Sequence, residues 1–403
     1  MKIKLHTKVF LGIVLGIFTG ILLRENATVL KPVGDIFIHL LQMMTVPIVF
    51  TSLVVGVISL GSIQGLGRLG MKTLIYYIST TTLAILTGLI IVNLVKPGVG
   101  GAYMLPQSNI LPQLPVSDSF LVNFFNQVVP SNIFRAASAD NQMLGVIFFS
   151  VFFGMALIYL GKKSDPVKSV VESLNSIILK MIDWIIQLAP IGVFALMATL
   201  VGEMGIEAFR SLGLYILVVI LGLLFHTTVV LSGALLFIAQ YSPRELFRKM
   251  FPAIATAFTT DSSVATLPVT MDCLEQNVGV SKRTSGFVSP LGATMNMDGT
   301  ALYEAVAAMF IAQVYGIDMN LTQQLMIAFT AIIASIGAAG IPSAGLITMI
   351  IVLRAVNLPL EGLGLLLAVD RILDMCRTTV NVIGDAVGAV IIAHLDGERL
   401  NQS

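Results

Sequence analysis

Long apolar runs recur along the chain, at about Val9–Leu23, Val33–Leu60, Gly70–Val95, Phe120–Leu160 (interrupted), Val171–Val201 and Leu212–Gln240. A helix needs roughly 20 apolar residues to cross the hydrocarbon core of a bilayer, so the pattern predicts transmembrane helices. After Tyr241 the texture changes. Ser, Thr, Gly and Ala become frequent and the apolar runs are interrupted. Two segments there share one design. Phe251–Cys273 carries Thr259-Thr260-Asp261-Ser262-Ser263-Val264-Ala265-Thr266-Leu267-Pro268, and about Thr322–Val356 carries Ser335-Ile336-Gly337-Ala338-Ala339-Gly340-Ile341-Pro342-Ser343-Ala344-Gly345. Each is an apolar arm, a small polar turn with proline, and a second apolar arm. The arms are too short to span alone, so both segments are expected to be re-entrant hairpins, one entering from each side. A full helix follows each, which makes an inverted repeat whose interrupted segments point to a binding site.

Composition agrees with that reading. Of 403 residues 56% are hydrophobic and 11% charged, the balance of an all-α polytopic membrane protein. A net charge of +1 without a dense basic cluster gives nucleic acid nothing to bind. The two cysteines, Cys273 and Cys376, have neither metal-ligand spacing nor the number for a disulfide framework. The short basic start lacks a small-residue cleavage site and reads as leading into a retained first helix. Lys2, Lys4, Lys8, Arg68, Lys72, Lys162, Lys163, Lys168, Arg244, Arg248, Lys249, Lys282 and Arg283 cluster in alternate loops. The intervening loops, including the proline-rich stretch from Lys96 to Phe120, carry far fewer. Both termini are therefore expected on the cytoplasmic side of the plasma (inner) membrane.

The chemistry concentrates in the last apolar run, about Leu360–Ile392. Asp374, Arg377, Thr378, Asn381 and Asp385 fall at i, i+3, i+4, i+7 and i+11, on one helix face. With Asp370 and Arg371 the stretch Asp370–Asp385 holds five charged residues, and a charge at mid-membrane costs about 2.5–3.5 kcal/mol. The stripe must face protein, water or a ligand, and it reads as a site for a charged solute and cations. A second signal is Asn296-Met297-Asp298-Gly299-Thr300, in the middle of the helix after the first hairpin. These residues are poor helix formers, so a local unwinding is expected, with backbone carbonyls exposed to a hard cation.

Taken in this order, the serine-rich turn, Asn296-Met297-Asp298-Gly299-Thr300, Ser335-Ile336-Gly337-Ala338-Ala339-Gly340-Ile341-Pro342 and the final stripe resemble the dicarboxylate/amino acid:cation symporter family, over essentially the whole chain. That family includes the animal glutamate transporters and their prokaryotic relatives. The resemblance implies the glutamate-transporter fold, with eight transmembrane helices and two re-entrant hairpins in a homotrimer embedded in lipid. Residues 1–69 and 97–207 would form a scaffold. Residues 70–96 and 208–403 would form a mobile transport domain that moves like an elevator. Within it fall hairpin 1 (about 245–276), helix 7 (about 282–316), hairpin 2 (about 322–356) and helix 8 (about 361–395).

The resemblance also assigns residues. Arg377 would bind the substrate's side-chain carboxylate, a role that suits a planar guanidinium. Asp374 would hold the amino group. Thr378, Asn381, Thr300, Ser262 and Ser263 would complete the polar contacts, and Gly345 would approach through its backbone. For sodium, one site would use Asp385, Asn381, Asn296 and the Gly292 carbonyl. A second would use Asp298, Asn296, Tyr77, Thr80 and Thr81, and a third the carbonyls of Thr294, Ser335, Ile336 and Ala338.

Four positions refine the expectation. Asp261 stands where many prokaryotic relatives have arginine, and Met375 where animal members have one. Arg371 lies one turn earlier, so an Asp261–Arg371 pair is expected to close the cytoplasmic side of the site. Glu304 resembles the animal members, in which it is linked to proton and potassium coupling, so H+ and K+ join Na+ as candidate coupling ions. The implied activity is sodium-coupled symport of acidic L-amino acids, aspartate or glutamate. Arg377 argues against a neutral amino acid carrier, and Asp374 against a C4-dicarboxylate carrier. An intramembrane aspartyl protease built on Asp298 and Asp385 would be a different class, as would a dedicated anion channel. The Asn, Gly and Thr oxygens nearby favour cations, and no Gly-x-Gly-Asp motif is present. No enzyme is expected.

Overall fold

A computed structural model describes residues 5–59, 67–99, 128–138, 143–204, 208–336, 344–367 and 369–401. Among the described residues the chain is helical, without strands. Helices α1 (Leu5–Leu23), α2 (Lys31–Met43) and α3 (Thr45–Ser59) come first, then the long α4 (Gly67–Val95). A short turn of helix at Ile133–Ser138 precedes α5 (Met143–Leu160), α6 (Asp165–Gln187) and α7 (Ala189–Met204). Helix α8 (Ala208–Phe225) runs on through π-helical turns at His226–Leu231 and Leu235–Ala239.

Among the described residues, five segments are long and apolar enough to cross a membrane: Thr7–Ile58, Arg68–Val95, Gly145–Gln187, Ser211–Ala239 and Asp370–Leu395. Large apolar side chains such as Phe18, Ile75, Phe152, Trp184 and Phe237 stand on their outer faces, as suits a chain surrounded by lipid. The chain is an integral multi-pass membrane protein. The run expected as one span at Val33–Leu60 is divided at Met44, and that at Val171–Val201 at Leu188. Pro47 and Pro190, just inside the second helix of each pair, lack the amide that would continue the first.

Helix packing separates two neighbourhoods. In one, α1 and α2 lie on α7, and α3 lies on α5 and α6. Gly12, Gly16 and Gly20 of α1 meet the carbonyls of Pro190, Phe194 and Ala198 at the same four-residue interval. A Cβ at any of the three would collide with backbone, so these glycines permit the close helix contact. Asn175 Oδ1 accepts from Thr51 Oγ1 and Ser52 Oγ at 3.0 Å each, joining α6 to α3.

The other neighbourhood holds α4, α8 and the helices that follow. Helices α9 (Pro243–Thr260) and α10 (Ser263–Asp272) pack on each other around a tight turn. Asp261 ends α9 in the left-handed conformation (φ 58°), and Ser262 starts α10, its Oγ accepting from Ala265 N at 3.1 Å. Helices α11 (Lys282–Met295) and α12 (Asp298–Val314) are separated by the expected unwinding. It is narrower than the motif, because only Asn296 and Met297 leave helical geometry while Asp298 already starts α12. A second pair, α13 (Leu321–Ile336) and α14 (Ala344–Ala355), also packs arm against arm; its turn, with Ala338, lies outside the described residues.

The final run departs from expectation. It is not one helix from about 361 to 395 but a short α15 (Leu363–Leu367) and then α16 (Asp370–Leu395). Helix α15 packs on α7, while α16 is enclosed by α4, α8, α9, α11 and α12. An unbroken helix could not satisfy both contacts, so the chain turns at Val369 and Asp370 becomes the first residue of α16.

Candidate functional site

The turn at Val369 lets α16 enter the second neighbourhood with its polar face inward. Asp370, Asp374, Arg377, Thr378, Asn381 and Asp385 are all buried. Arg377 is wholly buried, and its guanidinium carbon lies 3.8 Å from the centre of the Tyr303 ring. Its Nη2 donates to Asp374 Oδ1 at 2.6 Å and sits 3.0 Å from Asp370 Oδ1. Among the described residues Nε and Nη1 have no hydrogen-bond partner. A buried guanidinium with idle donors is costly and is retained where a ligand completes it. Gly345, at the start of α14, covers the guanidinium so closely that a Cβ there would stand 3.1 Å from its nitrogens. Gly345 thus brings the backbone of α14 against the guanidinium.

From α9 and α10 the first hairpin brings its turn to the same place. Asp261 Oδ2 accepts from Arg371 Nη1 at 2.5 Å, and Asp261 Oδ1 accepts from Thr378 Oγ1 at 3.3 Å. Ser262 and Ser263 are buried beside them. The Thr300 hydroxyl accepts from Asn381 Nδ2 at 3.3 Å, and Asn381 Oδ1 accepts from Gly299 N at 2.8 Å. Asn381 thereby links the stripe to the start of α12. One turn along α12, Glu304 is fully buried, and neither carboxylate oxygen has a hydrogen-bond partner among the described residues.

The expected cation ligands form adjoining clusters. Around the unwound pair, Asn296 Nδ2 donates to Asp385 Oδ1 at 3.0 Å, and a Cβ at Gly292 would strike that same oxygen and the Tyr77 hydroxyl. Only glycine at 292 leaves room for Asp385 to approach the backbone. On the α4 side, Thr80 Oγ1 stands 3.4 Å from Asn296 Oδ1 and Thr81 Oγ1 donates to Asp298 Oδ1 at 2.7 Å. Tyr77 instead donates its hydroxyl to Val288 O at 2.8 Å, so it borders both clusters. Ser335 is buried and Thr294 half-buried, their hydroxyls bonded within their own helices. Ile336 ends α13. The Asp298 cluster sets a carboxylate beside the Asn296 amide oxygen and the Thr80 and Thr81 hydroxyls, oxygens of the kind a small hard cation takes. Asp298 and Asp385 have separate donors, which is not the shared-proton arrangement of an acid protease.

Two further residues belong to the site. Asp370 lies one turn before Asp374 on the same face, and its position at i−4 was a signal available in the sequence. His226, fully buried on α8, has its Nε2 3.1 Å from Asp298 Oδ2. Nothing in the apolar run around His226 marks a partner 72 residues away.

Residues 5–395 match the family model described as the sodium:dicarboxylate symporter family, and the chain belongs to that family. It is similar, at 38% identity over 98% of this chain and 96% of the relative, to a proton/sodium-glutamate symport protein of Geobacillus stearothermophilus. At 33% identity it is similar to the protein of that name in Bacillus subtilis, over 98% of this chain and 94% of the relative. It is also 36% identical to excitatory amino acid transporter 1 of Ambystoma tigrinum, over 91% of this chain and 77% of the relative. The family and these relatives are transporters, not enzymes.

Proposed function

We propose that the chain is a sodium-coupled secondary active transporter for acidic L-amino acids, aspartate or glutamate. The observation that carries the reading is Arg377, wholly buried, with Nε and Nη1 unpartnered among the described residues and Asp374 beside it. An acidic amino acid would insert into that ion pair. Its side-chain carboxylate would take the guanidinium, its ammonium would take Asp374, and Thr378, Asn381, Thr300, Ser262 and Ser263 would receive the remaining polar atoms. The Asn296, Asp298 and Asp385 clusters would hold sodium, joined by a third site at Thr294, Ser335, Ile336 and Ala338. Each sodium entering down the membrane potential supplies about 2.3 kcal/mol per 100 mV. Two or three offset the work of concentrating an anion.

In this reading the chain has eight transmembrane helices and two hairpins, with both termini in the cytoplasm, and assembles as a trimer in the plasma membrane. The helices around α1, α3 and α7 are the scaffold. The helices around α16 move as an elevator, Gly345 and the second hairpin closing the outer side and the Asp261–Arg371 pair the inner side. Glu304 carries a proton or answers to potassium, and the Geobacillus relative's name, with proton beside sodium, favours the first. A competition series separates the substrate classes: labelled L-aspartate uptake challenged with unlabelled L-glutamate, L-serine and succinate. Competition by glutamate alone is expected. Transport of serine or succinate in place of aspartate would overturn the assignment of Arg377 and Asp374.

A further inference from the structure

Asp298 is the carboxylate of the α4-side cation cluster, and it is held from two directions. Thr81 of α4 donates to Oδ1 at 2.7 Å, and His226 of α8 meets Oδ2 at 3.1 Å. Both members of the His226–Asp298 contact are fully buried. The other ring nitrogen, Nδ1, has no hydrogen-bond partner among the described residues. A proton on Nε2 is placed to be donated to the carboxylate.

The helix is shaped around this contact. His226 opens a π-helical turn, His226–Leu231, in a segment that is otherwise Leu- and Val-rich. Ser232 Oγ donates to Thr227 O at 2.9 Å and takes up a carbonyl of that turn. Single π turns widen a helix locally and recur at functional sites. A Cβ at Gly384 would stand 3.3 Å from the same Asp298 Oδ2 and closer still to Asn296 Nδ2. The carboxylate is thus fixed between α4, α8 and α16, with Asn296 and Thr80 next to it.

We propose that His226 is the positioning residue of the Asp298 cation site: its Nε2–H holds the carboxylate so that its remaining lone pairs face the oxygens of Asn296, Thr80 and Thr81. The proposal rests on the reading of this chain as a sodium-coupled transporter. His226 touches neither cation nor substrate; it sets sodium affinity through Asp298. A histidine that merely fills the core would affect folding and the number of active molecules, but not the sodium concentration at which they half-saturate.

The test is the sodium dependence of L-aspartate uptake by purified protein in liposomes, for wild type, His226→Gln, His226→Asn and His226→Leu. Glutamine can place an amide N–H where Nε2 now lies; asparagine is one methylene too short, and leucine has no donor. His226→Leu and His226→Asn are expected to raise the half-saturating sodium concentration about tenfold or more, the effect of losing a hydrogen bond to a charged group. His226→Gln is expected to stay within about threefold of wild type on the same scale. Half-saturating aspartate, measured at saturating sodium, should change little in all three. If leucine prevents folding, the asparagine–glutamine contrast decides. Unchanged half-saturating sodium in His226→Asn and His226→Leu, or equal shifts in asparagine and glutamine, would overturn the proposal. A wild-type protein without sodium-dependent uptake would instead overturn the transport reading itself.

Discussion

The two ends of α16 treat polar groups in opposite ways. Past its C-terminus, Glu398 accepts from Ser281 N at 2.8 Å, Ser281 Oγ at 2.6 Å and Thr284 Oγ1 at 2.6 Å. Lys72 Nζ donates to Leu395 O at 2.7 Å, and Asn401 O accepts from Tyr241 and Lys249. Residues 396–401 thus tie together α4, α9, the start of α11 and α16, with partners supplied for each of these groups. In the stripe, by contrast, Arg377 is fully buried with two nitrogens that have no hydrogen-bond partner among the described residues, while Nη2 meets Asp374 and Asp370. A satisfied cluster stabilises; an incomplete one in a buried place is kept for what completes it. The clasp reads as structure, and the stripe as the proposed site.

The largest way to break that contrast is Arg377→Ala. Removing one partner of a buried charge pair costs about 2–5 kcal/mol, or roughly 30- to 4,000-fold in substrate affinity. Aspartate uptake should fall to background while the protein still purifies as folded. Next comes the inner pair. Asp261→Arg sets two cations against each other and is expected to reduce uptake by about tenfold or more. Adding Arg371→Asp should restore most of it, and failure of that rescue would remove the gate role. Glu304→Gln should leave sodium-driven uptake measurable but flatten its dependence on external pH, on internal potassium, or on both. Unchanged dependence on both would end the coupling assignment.

Glu398→Gln is the smallest effect and belongs to the clasp. Burial pushes the Glu398 carboxyl up, but the hydrogen bonds from Ser281 and Thr284 outweigh it and hold the group below the ordinary 4.5. A carboxyl depressed by folding stabilises the protein above the free group's value and loses that contribution as pH falls through the folded value. Thermal unfolding of Glu398→Gln should therefore occur a few degrees or less below wild type at pH 7. The two curves should converge below about pH 4. Uptake kinetics should not change, and a transport defect as large as that of Arg377→Ala would erase the distinction between the two regions.

What was legible in the sequence follows the same division. The hairpin arms and the Asn296-Met297 break could be read because proline, glycine and asparagine fail locally as helix formers. Asp261 and Arg371 could be paired from the resemblance, because Asp261 and Met375 stand where relatives carry an arginine and Arg371 is the nearest candidate, and the turn of α9 into α10 does bring them together. The break before Asp370 was not legible. Leu-Leu-Leu-Ala-Val continues a helix by every local rule, and only the docking of α15 on α7 explains the turn. His226 was hidden for a related reason, since its meaning depends on Asp298 arriving from a distant helix. Gly12, Gly16 and Gly20 show the intermediate case. Their spacing is plain, but the carbonyls they accommodate belong to α7.

The central claim is that the buried guanidinium is completed by an anionic amino acid whose entry is driven by sodium. It is tested most directly by accumulation of labelled L-aspartate in liposomes carrying the purified protein under an inward sodium gradient, beside Arg377→Ala. Accumulation above equilibrium that collapses with the gradient, and is absent in Arg377→Ala, is the predicted result. Equal aspartate accumulation by wild type and Arg377→Ala, or none with sodium present, would contradict it.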